Sequence, residues 1–283
     1  GGITANYVAK WNGNTWSALG TGVNRSVDAI AVIGTDVFVG GSFSAAGGTT
    51  AMAIARWNGS NWSALAPGMS VLDDVYALAV IGTDLYVGGD FTISGEAAIQ
   101  DIAKWNGNAW SALGSGTSGS VRALAEIGSD IYAAGAFLTA GGVSVNRIAK
   151  WDGSNWSALG SGLNNAAYSL AVSGTDLYAG GAFTNAGGVA ASRVAKWNGS
   201  AWSSLGSGTT GGDVYAMTMH GTDLYIGGNI STAGGTPARN IARWDGSAWS
   251  ALGSGANSTV LALDVNGANL YAGGPFTYVG TTV

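Results

Sequence analysis

Six copies of one short motif, a pair of tryptophans around a tight-turn sequence, constrain this chain more than any other feature. In the second copy the motif reads IARWNGSNWSAL, residues 54–65. The first tryptophans recur every 46 to 48 residues, and the second follows five residues later, in the pairs Trp11/Trp16, Trp57/Trp62, Trp105/Trp110, Trp151/Trp156, Trp197/Trp202 and Trp244/Trp249. All 12 tryptophans belong to this motif. The chain is therefore predicted to be built from six repeats of about 47 residues.

Each repeat contains four short segments that alternate or run apolar between turn residues, a pattern typical of β-strands. In the second full copy these segments are residues 75–81, 85–89, 102–105 and 110–113. No segment shows a sustained helical period. Four antiparallel strands per repeat predict an all-β fold, a six-bladed β-propeller of four-stranded antiparallel blades forming a single domain, 1–283.

The order of the segments predicts how the propeller closes. The chain begins with the third and fourth strands of a repeat, NYVAKW and WSALG, and ends with the first and second, VLALDV and NLYAGGPF. Five blades are therefore continuous in sequence. The last blade is expected to be closed by two N-terminal and two C-terminal strands.

The composition narrows the function classes. The chain has 49 glycines, 3 prolines, 47% hydrophobic and 10% charged residues, as expected for a packed, turn-rich protein. Its net charge of −5 argues against nucleic-acid binding. It has no cysteine, so disulfides and thiolate metal sites are excluded, and no apolar run is long enough to predict membrane insertion. Because the sequence opens on GGITAN, we expect a processed or excised domain of a longer protein.

Motifs that could carry catalysis are weak. Residues 114–119 and 206–211 match the dinucleotide pattern Gly-x-Gly-x-x-Gly, but no helix is predicted after either, so both are interpreted as turns between blades. His220 is the only histidine and has no predicted nucleophile to activate. We therefore expect no enzymatic activity, no catalytic residues and no cofactor.

Two repeated features are interpreted as structural, each with an alternative. The two tryptophans of a pair should face each other across a hairpin, although exposed aromatics could instead bind sugars. A basic residue ends each third strand, and an Asp or Asn begins each second strand. We expect the basic residue to form an ion pair or a cation–π contact. The alternative is that the six basic residues form a ring that binds an anion. The basic residues are Lys10, Arg56, Lys104, Lys150, Lys196 and Arg243.

Differences between copies indicate where a ligand could bind. The second full copy departs most from the other copies. Its two altered loops are predicted to place five carboxylates on one edge of the face opposite the turns that are alike in all copies: Asp73, Asp74, Asp90, Glu96 and Asp101. Clustered carboxylates could hold Ca²⁺. A solvated acidic rim is the alternative, and the sequence predicts no other metal site.

The segment LYVGG followed by a tryptophan pair resembles the kelch-type propeller repeat. The sequence is still more similar to the LYVGGSFT and IAKWDG repeats of bacterial surface proteins and of fungal cortical polarity-marker ectodomains. This resemblance implies a propeller in an extracellular or cell-surface protein. We expect a monomeric binding or scaffold module with a protein or glycan ligand. Two alternatives are a multivalent carbohydrate-binding lectin and a structural building block that self-assembles.

Overall fold

A computed structural model describes residues 2–66, 69–70, 73–93 and 99–280, which form only β-strands and their connections. The chain divides into two compact units, Gly1–Leu124 and Ala125–Val283. None of the described residues forms a helix long and apolar enough to cross a membrane.

The first unit is built from short strands separated by glycine-containing turns. Its strands are β1 (Ala9–Trp11), β2 (Trp16–Ala18), β3 (Val27–Ile33), β4 (Asp36–Gly41), β5 (Ala45–Ala46), β6 (Thr49–Thr50), β7 (Ile54–Trp57), β8 (Trp62–Ala64), β9 (Asp74–Ile81), β10 (Asp84–Ile93), β11 (Ile99–Trp105) and β12 (Trp110–Ala112). Two four-stranded antiparallel sheets result, β3-β4-β7-β8 (blade 1) and β9-β10-β11-β12 (blade 2). The hairpins β1-β2 and β5-β6 are two-stranded.

The remaining strands repeat the same plan. They are β13 (Val121–Ile127), β14 (Asp130–Gly135), β15 (Thr139–Ala140), β16 (Val143–Ser144), β17 (Ile148–Trp151), β18 (Trp156–Ala158), β19 (Ala167–Ser173), β20 (Asp176–Gly181), β21 (Asn185–Ala186), β22 (Val189–Ala190), β23 (Val194–Trp197), β24 (Trp202–Ser204), β25 (Thr209–His220), β26 (Asp223–Ala233), β27 (Thr236–Pro237), β28 (Ile241–Trp244), β29 (Trp249–Ala251), β30 (Ala262–Asn266) and β31 (Asn269–Gly273). Blade 3 is β13-β14-β17-β18, blade 4 is β19-β20-β23-β24, and blade 5 is β25-β26-β28-β29 with β27 added to β26. The hairpin β30-β31 is two-stranded.

These sheets confirm the prediction of an all-β propeller with four-stranded antiparallel blades. The structure adds details that the sequence pattern did not predict. Short hairpins such as β5-β6 form within what was read as a loop between the second and third strands. In the second Gly-rich motif, Gly206 and Gly208 turn the chain with positive φ, but Thr209 already begins β25.

The first strands of blades 1, 2, 4 and 5 each contain a β-bulge. In β9, Val75 pairs with Gly89 and Ala77 with Gly88, so Tyr76 has no direct partner. The same register shift places Asp28, Tyr168 and Tyr215 at the bulges of β3, β19 and β25. A bulge re-aims the extra side chain away from the pleat, which frees this position from the packing of the sheet.

Neighbouring blades approach closely through a glycine on the second strand and a valine on the next first strand. A Cβ added at Gly227 would lie 2.5 Å from Val260 Cγ1, and one at Gly40 would lie 2.3 Å from Val75 Cγ1. Both valines are fully buried. In blade 3 the glycine is replaced by Ala134, and the valine position of blade 4 is Ala167, in the same buried cluster. Where the second strand carries alanine instead of glycine, the first strand of the next blade thus carries alanine instead of valine.

We predict that Gly227→Ala destabilises the protein by about 1–3 kcal/mol, because overpacking displaces Val260. Adding Val260→Ala recreates the combination found in blades 3 and 4, so the double variant should be less destabilised than the sum of the two single variants. Urea unfolding of the four proteins in the cycle measures this coupling. Strict additivity would contradict the steric explanation.

Candidate functional site

The tryptophan pairs form seams between consecutive repeats. In each hairpin the two tryptophans are directly opposite, and their ring centroids lie 5.1–5.5 Å apart. The Nε1–H of the second tryptophan donates to a leucine carbonyl of the preceding repeat in three described cases: Trp62 to Leu19 at 2.7 Å, Trp202 to Leu159 at 2.8 Å and Trp249 to Leu205 at 2.8 Å. Ten of the indoles are buried or half-buried, whereas Trp11 and Trp16 are each 49% exposed.

The turns of the tryptophan hairpins are capped in the same way in every repeat. A side-chain oxygen of the first turn residue accepts from two backbone N–H groups; in the last repeat, Asp245 Oδ1 accepts from Ser247 and Ala248 at 2.8 Å. These donors hold the pKa of Asp245 down at about 2. The equivalent residues in the other repeats are Asn12, Asn58, Asn106, Asp152 and Asn198.

Ion pairs join the second and third strands of all five blades. Their N–O distances are 2.5–3.0 Å, and the pairs are Arg56–Asp36, Lys104–Asp84, Lys150–Asp130, Lys196–Asp176 and Arg243–Asp223. The aspartate acceptors raise the pKa values of the three lysines. The predicted ion pair is therefore confirmed, and these five basic side chains are already engaged. We call the face with these turns and ion pairs the constant face.

Three of the five predicted acidic residues meet in one polar cavity of blade 2. Asp73, Asp90 and Asp101 line a cavity of about 300 Å³, here named the acidic cavity, together with Phe91, Thr92, Gln100, Thr117 and Ser118. The N–H of Phe91 donates to Asp101 Oδ1, and that of Thr92 to Asp73 Oδ2, both at 3.3 Å. Two adjacent residues of β10 thereby orient two carboxylates, one from the segment before β9 and one from β11.

The other two predicted acidic residues behave differently. Asp74 is paired in register with Asp90 on the neighbouring strand, but its carboxylate accepts from the Tyr76 hydroxyl at 3.2 Å and does not line the acidic cavity. Glu96 lies outside the described residues. Among the described residues, no three His, Asp or Glu side chains are arranged to hold a metal ion, so the geometry gives the Ca²⁺ interpretation no support.

Asp101 is electrostatically unusual. Burial raises its pKa to about 6; the hydrogen bond from Phe91 opposes this rise, and the charges of Asp90 and Asp73 add to it. Its backbone has φ +60, in the left-handed region that few residues other than glycine adopt. The cavity therefore concentrates negative charge around a carboxyl group that ionises reluctantly.

The backbone position of Asp101 recurs in every repeat, where it carries five different residue types in six copies. The equivalent residues, all with positive φ, are Tyr7, Ala53, Arg147, Arg193 and Asn240. In blade 5 the corresponding cavity measures about 510 Å³ and is lined by Asn229, Ser231, Arg239, Asn240 and Asn257 among others. The same architectural site is thus acidic in blade 2 and rich in amides in blade 5.

The comparisons with known proteins agree with this geometry. A family model described as the Rax2 C-terminal beta propeller domain matches residues 8–171, more than half of the chain. The chain belongs to this Rax2 propeller family. It matches no curated protein.

Solved structures similar to this Rax2-type chain support the fold alone. A computationally designed protein, Ika8, aligns with TM-score 0.58 and 15% identity over 87% of this chain and 67% of its own. The protein YjhT aligns with TM-score 0.54 and 13% identity over 87% of this chain and 89% of its own. Both identities are too low to transfer function.

In this Rax2-type chain, the residues that follow the first-strand Val or Ala of each repeat, four of them at β-bulges, form a set that the sequence analysis missed. In the first unit, Arg122 lies 3.9 Å over the Tyr76 ring. In the second, Tyr168 and Tyr215 stack with centroids 5.5 Å apart. Together with Asp28 and Leu261, these residues immediately follow the first-strand Val or Ala of each repeat. A comparison of the six copies position by position would therefore have revealed them.

His220 packs loosely on Tyr225, with ring centroids 6.4 Å apart. It does not line the acidic cavity. Nothing in its described surroundings assigns it a chemical role.

We predict that Asp101→Asn stabilises the protein at pH 7 by roughly 1 kcal/mol, after allowing for the screening of a half-exposed group. Because the folded-state pKa of about 6 lies above the ordinary 3.8, ionisation of Asp101 opposes folding above pH 6, and this opposition fades as the pH falls towards 4. Urea unfolding at pH 7 and pH 5 should show a smaller pH dependence for the variant. The exposed Asp264→Asn serves as the charge control. An equal pH dependence of wild type and Asp101→Asn would contradict the assignment.

Proposed function

We propose that this chain is a non-enzymatic binding or scaffold module of an extracellular or cell-surface protein. It binds its partner through the loops opposite the constant face, here named the variable face. The observation that carries the proposal is the left-handed position four residues before the first tryptophan of each pair. It holds Tyr7, Ala53, Asp101, Arg147, Arg193 and Asn240 within one repeated backbone. A constant frame that presents different side chains at equivalent points is suited to specific recognition.

The contrast between the two faces supports this assignment. The constant face repeats one capped turn and one ion pair, shown in blade 2 by Asn106 and by Lys104 with Asp84. The variable face carries the cavities of blades 2 and 5, whose linings differ. Placement outside the cell follows from the resemblance to surface-protein repeats and is part of the proposal.

A photo-crosslinking amino acid tests which face is used. Placed at exposed Gln100 on the rim of the acidic cavity, it should yield a discrete adduct with surface extracts of the cells that produce the protein. Placed at exposed Asn108 in the tryptophan hairpin turn, it should yield none. Adducts from Asn108 but not from Gln100 would reverse the assignment of the binding face.

Glycan binding is the second candidate, and the blade 5 cavity favours it. Its three asparagines, Ser231 and Arg239 provide the mixed donors and acceptors that sugar hydroxyls require. A glycan array should then give hits that Asn240→Ala weakens. An array without hits at high protein concentration would count against this candidate.

We also propose that the hairpins β30-β31 and β1-β2 together complete a sixth blade. Each stands as a two-stranded sheet, whereas each of the other five blades contains two such hairpins. By repeat equivalence with Tyr225↔Arg243, Tyr271 would pair with Lys10. The joining blade would then have Asn269 where the others have the ion-pairing aspartate.

Glycine substitutions distinguish a closed blade from open ends. A Cβ at Gly273 meets only Ala262 of its own hairpin, at 3.6 Å. If the sixth blade forms, Val27 should pack on Gly273 as Val260 packs on Gly227, and Gly273→Ala should destabilise the protein by about 1–3 kcal/mol. A neutral effect would contradict closure. Light scattering over a range of concentrations then separates a closed monomer from strand exchange between copies, which is the self-assembly alternative.

A further inference from the structure

The fold already holds a guanidinium group at the site that is acidic in blade 2. Arg147 and Arg193 occupy the backbone position of Asp101 in blades 3 and 4, with φ +71 and +65. Their Nη1 atoms donate to the carbonyl oxygens of Leu163 at 3.1 Å and Thr209 at 3.3 Å. In blade 5 the equivalent Asn240 side chain donates to Ala256 O at 2.8 Å. In blades 3, 4 and 5, therefore, a side chain of the protein itself donates a hydrogen bond to the backbone carbonyl at an equivalent position of the repeat.

The first strand of blade 5 also places a carboxylate beside the arginine of blade 4. Arg193 Nε lies 3.7 Å from Asp213 Oδ1 of β25, so a guanidinium, a carboxylate and a backbone carbonyl occur together where these two blades meet. The chain thus contains an internal example of the interaction. Guanidinium groups match carbonyl and carboxylate oxygens through a planar set of N–H donors.

Blade 2 has hydrogen-bond acceptors at this site but no arginine or asparagine at the equivalent position to donate to them. Asp101 replaces the arginine and, when ionised, cannot donate a hydrogen bond; Thr117 provides the carbonyl equivalent to those of Leu163 and Thr209. Asp73 and Asp90 add two more carboxylates around a cavity of about 300 Å³. Within the described part of the chain, no lysine or arginine lines this cavity.

We propose that the acidic cavity binds an arginine side chain of a partner polypeptide, in the position that Arg147 and Arg193 occupy in their own blades. This inference rests on the proposed binding function and names the partner chemistry at one cavity of the variable face. The guanidinium would meet Asp73, Asp90 and Asp101 and donate to the Thr117 carbonyl.

The arrangement favours a guanidinium over a compact cation. Asp73 and Asp101 are each oriented by a backbone N–H of β10, and the described carboxylates do not converge as metal ligands do. A planar group with five N–H donors can reach several spaced acceptors at once, whereas an ammonium ion is a point charge. The partial burial of Asp101 excludes some of the water that would otherwise screen the pair.

The test titrates the full chain with three acetylated peptides, Gly-Arg-Gly, Gly-citrulline-Gly and Gly-Lys-Gly. NMR spectra of the protein follow each titration at low and at physiological salt. The arginine peptide should shift resonances of residues around the cavity. Citrulline, which keeps the shape of arginine and lacks its charge, should bind at least about tenfold more weakly, and lysine should bind several-fold more weakly.

Variants locate the site. Asp101→Asn copies the blade 5 residue and should weaken arginine binding at least about tenfold. Asp101→Arg copies blades 3 and 4, should fill the cavity from within and should abolish binding. Asp264→Asn removes one exposed carboxylate elsewhere and should leave the affinity unchanged. Thermal unfolding of each variant establishes that it is folded before its affinity is compared.

The inference is overturned if the arginine peptide does not bind, if citrulline or lysine binds equally well, or if Asp101→Asn binds like the wild type. A partner that crosslinks at Gln100 but whose affinity is insensitive to Asp101→Asn and Asp101→Arg would also overturn it while leaving the proposed binding function intact. Absence of any adduct on the variable face, with arginine binding retained, would instead contradict the broader function.

Discussion

The hydrogen bond from a tryptophan indole to the leucine carbonyl of the preceding repeat is the contact on which the rest of each unit depends. It joins residues 43 or 44 positions apart in sequence, so it can form only when consecutive repeats are already stacked. Its donor sits in a tilted aromatic pair, which buries much of the apolar surface of the hairpin. The glycine after the leucine packs closely on these rings; a Cβ at Gly20 would lie 3.0 Å from the Trp57 ring. Where it is intact, one seam therefore constrains four residue positions: a leucine, the glycine after it and two tryptophans.

Blade 2 shows what happens where this seam is altered. Leu65 is followed by Ala66 rather than glycine, and Trp110 Nε1 is buried with no hydrogen-bond partner among the described residues. The same blade carries the acidic cavity and the longest departures from the repeat. The segments that supply Asp73 and Asp90 therefore differ from those of the other repeats in the same blade in which the seam differs. Losing a hydrogen bond to a buried donor costs about 1–3 kcal/mol, which the remaining blade packing must offset.

The sequence was sufficient to predict the parts of the structure set by repetition. The tryptophan register and the Asp–Lys or Asp–Arg pairs follow from spacing alone, because equivalent strands place equivalent residues opposite each other. The bulges at Tyr76, Tyr168 and Tyr215 did not follow, since a one-residue shift in register leaves the apolar pattern of these strands nearly unchanged. The acidic cavity was predicted in part. Sequence proximity grouped Asp74 with Asp73, but the pleat turns adjacent residues to opposite sides, and the Tyr76 hydroxyl binds Asp74.

The left-handed position four residues before the first tryptophan of each pair explains how a rigid repeat can still vary. Its φ is fixed by the chain path, yet its side chain is not part of the seam, so arginine, asparagine, alanine, tyrosine and aspartate all occur there. Where the residue can donate, it caps the neighbouring carbonyl and contributes to the stability of its own blade. Aspartate at this position reverses that role: it brings an acceptor next to other acceptors, and burial raises its pKa because no positive charge compensates it. Ionised Asp101 thus opposes folding at a position where the equivalent residues of other repeats stabilise the protein. Such an arrangement is expected of a site that binds an external cation.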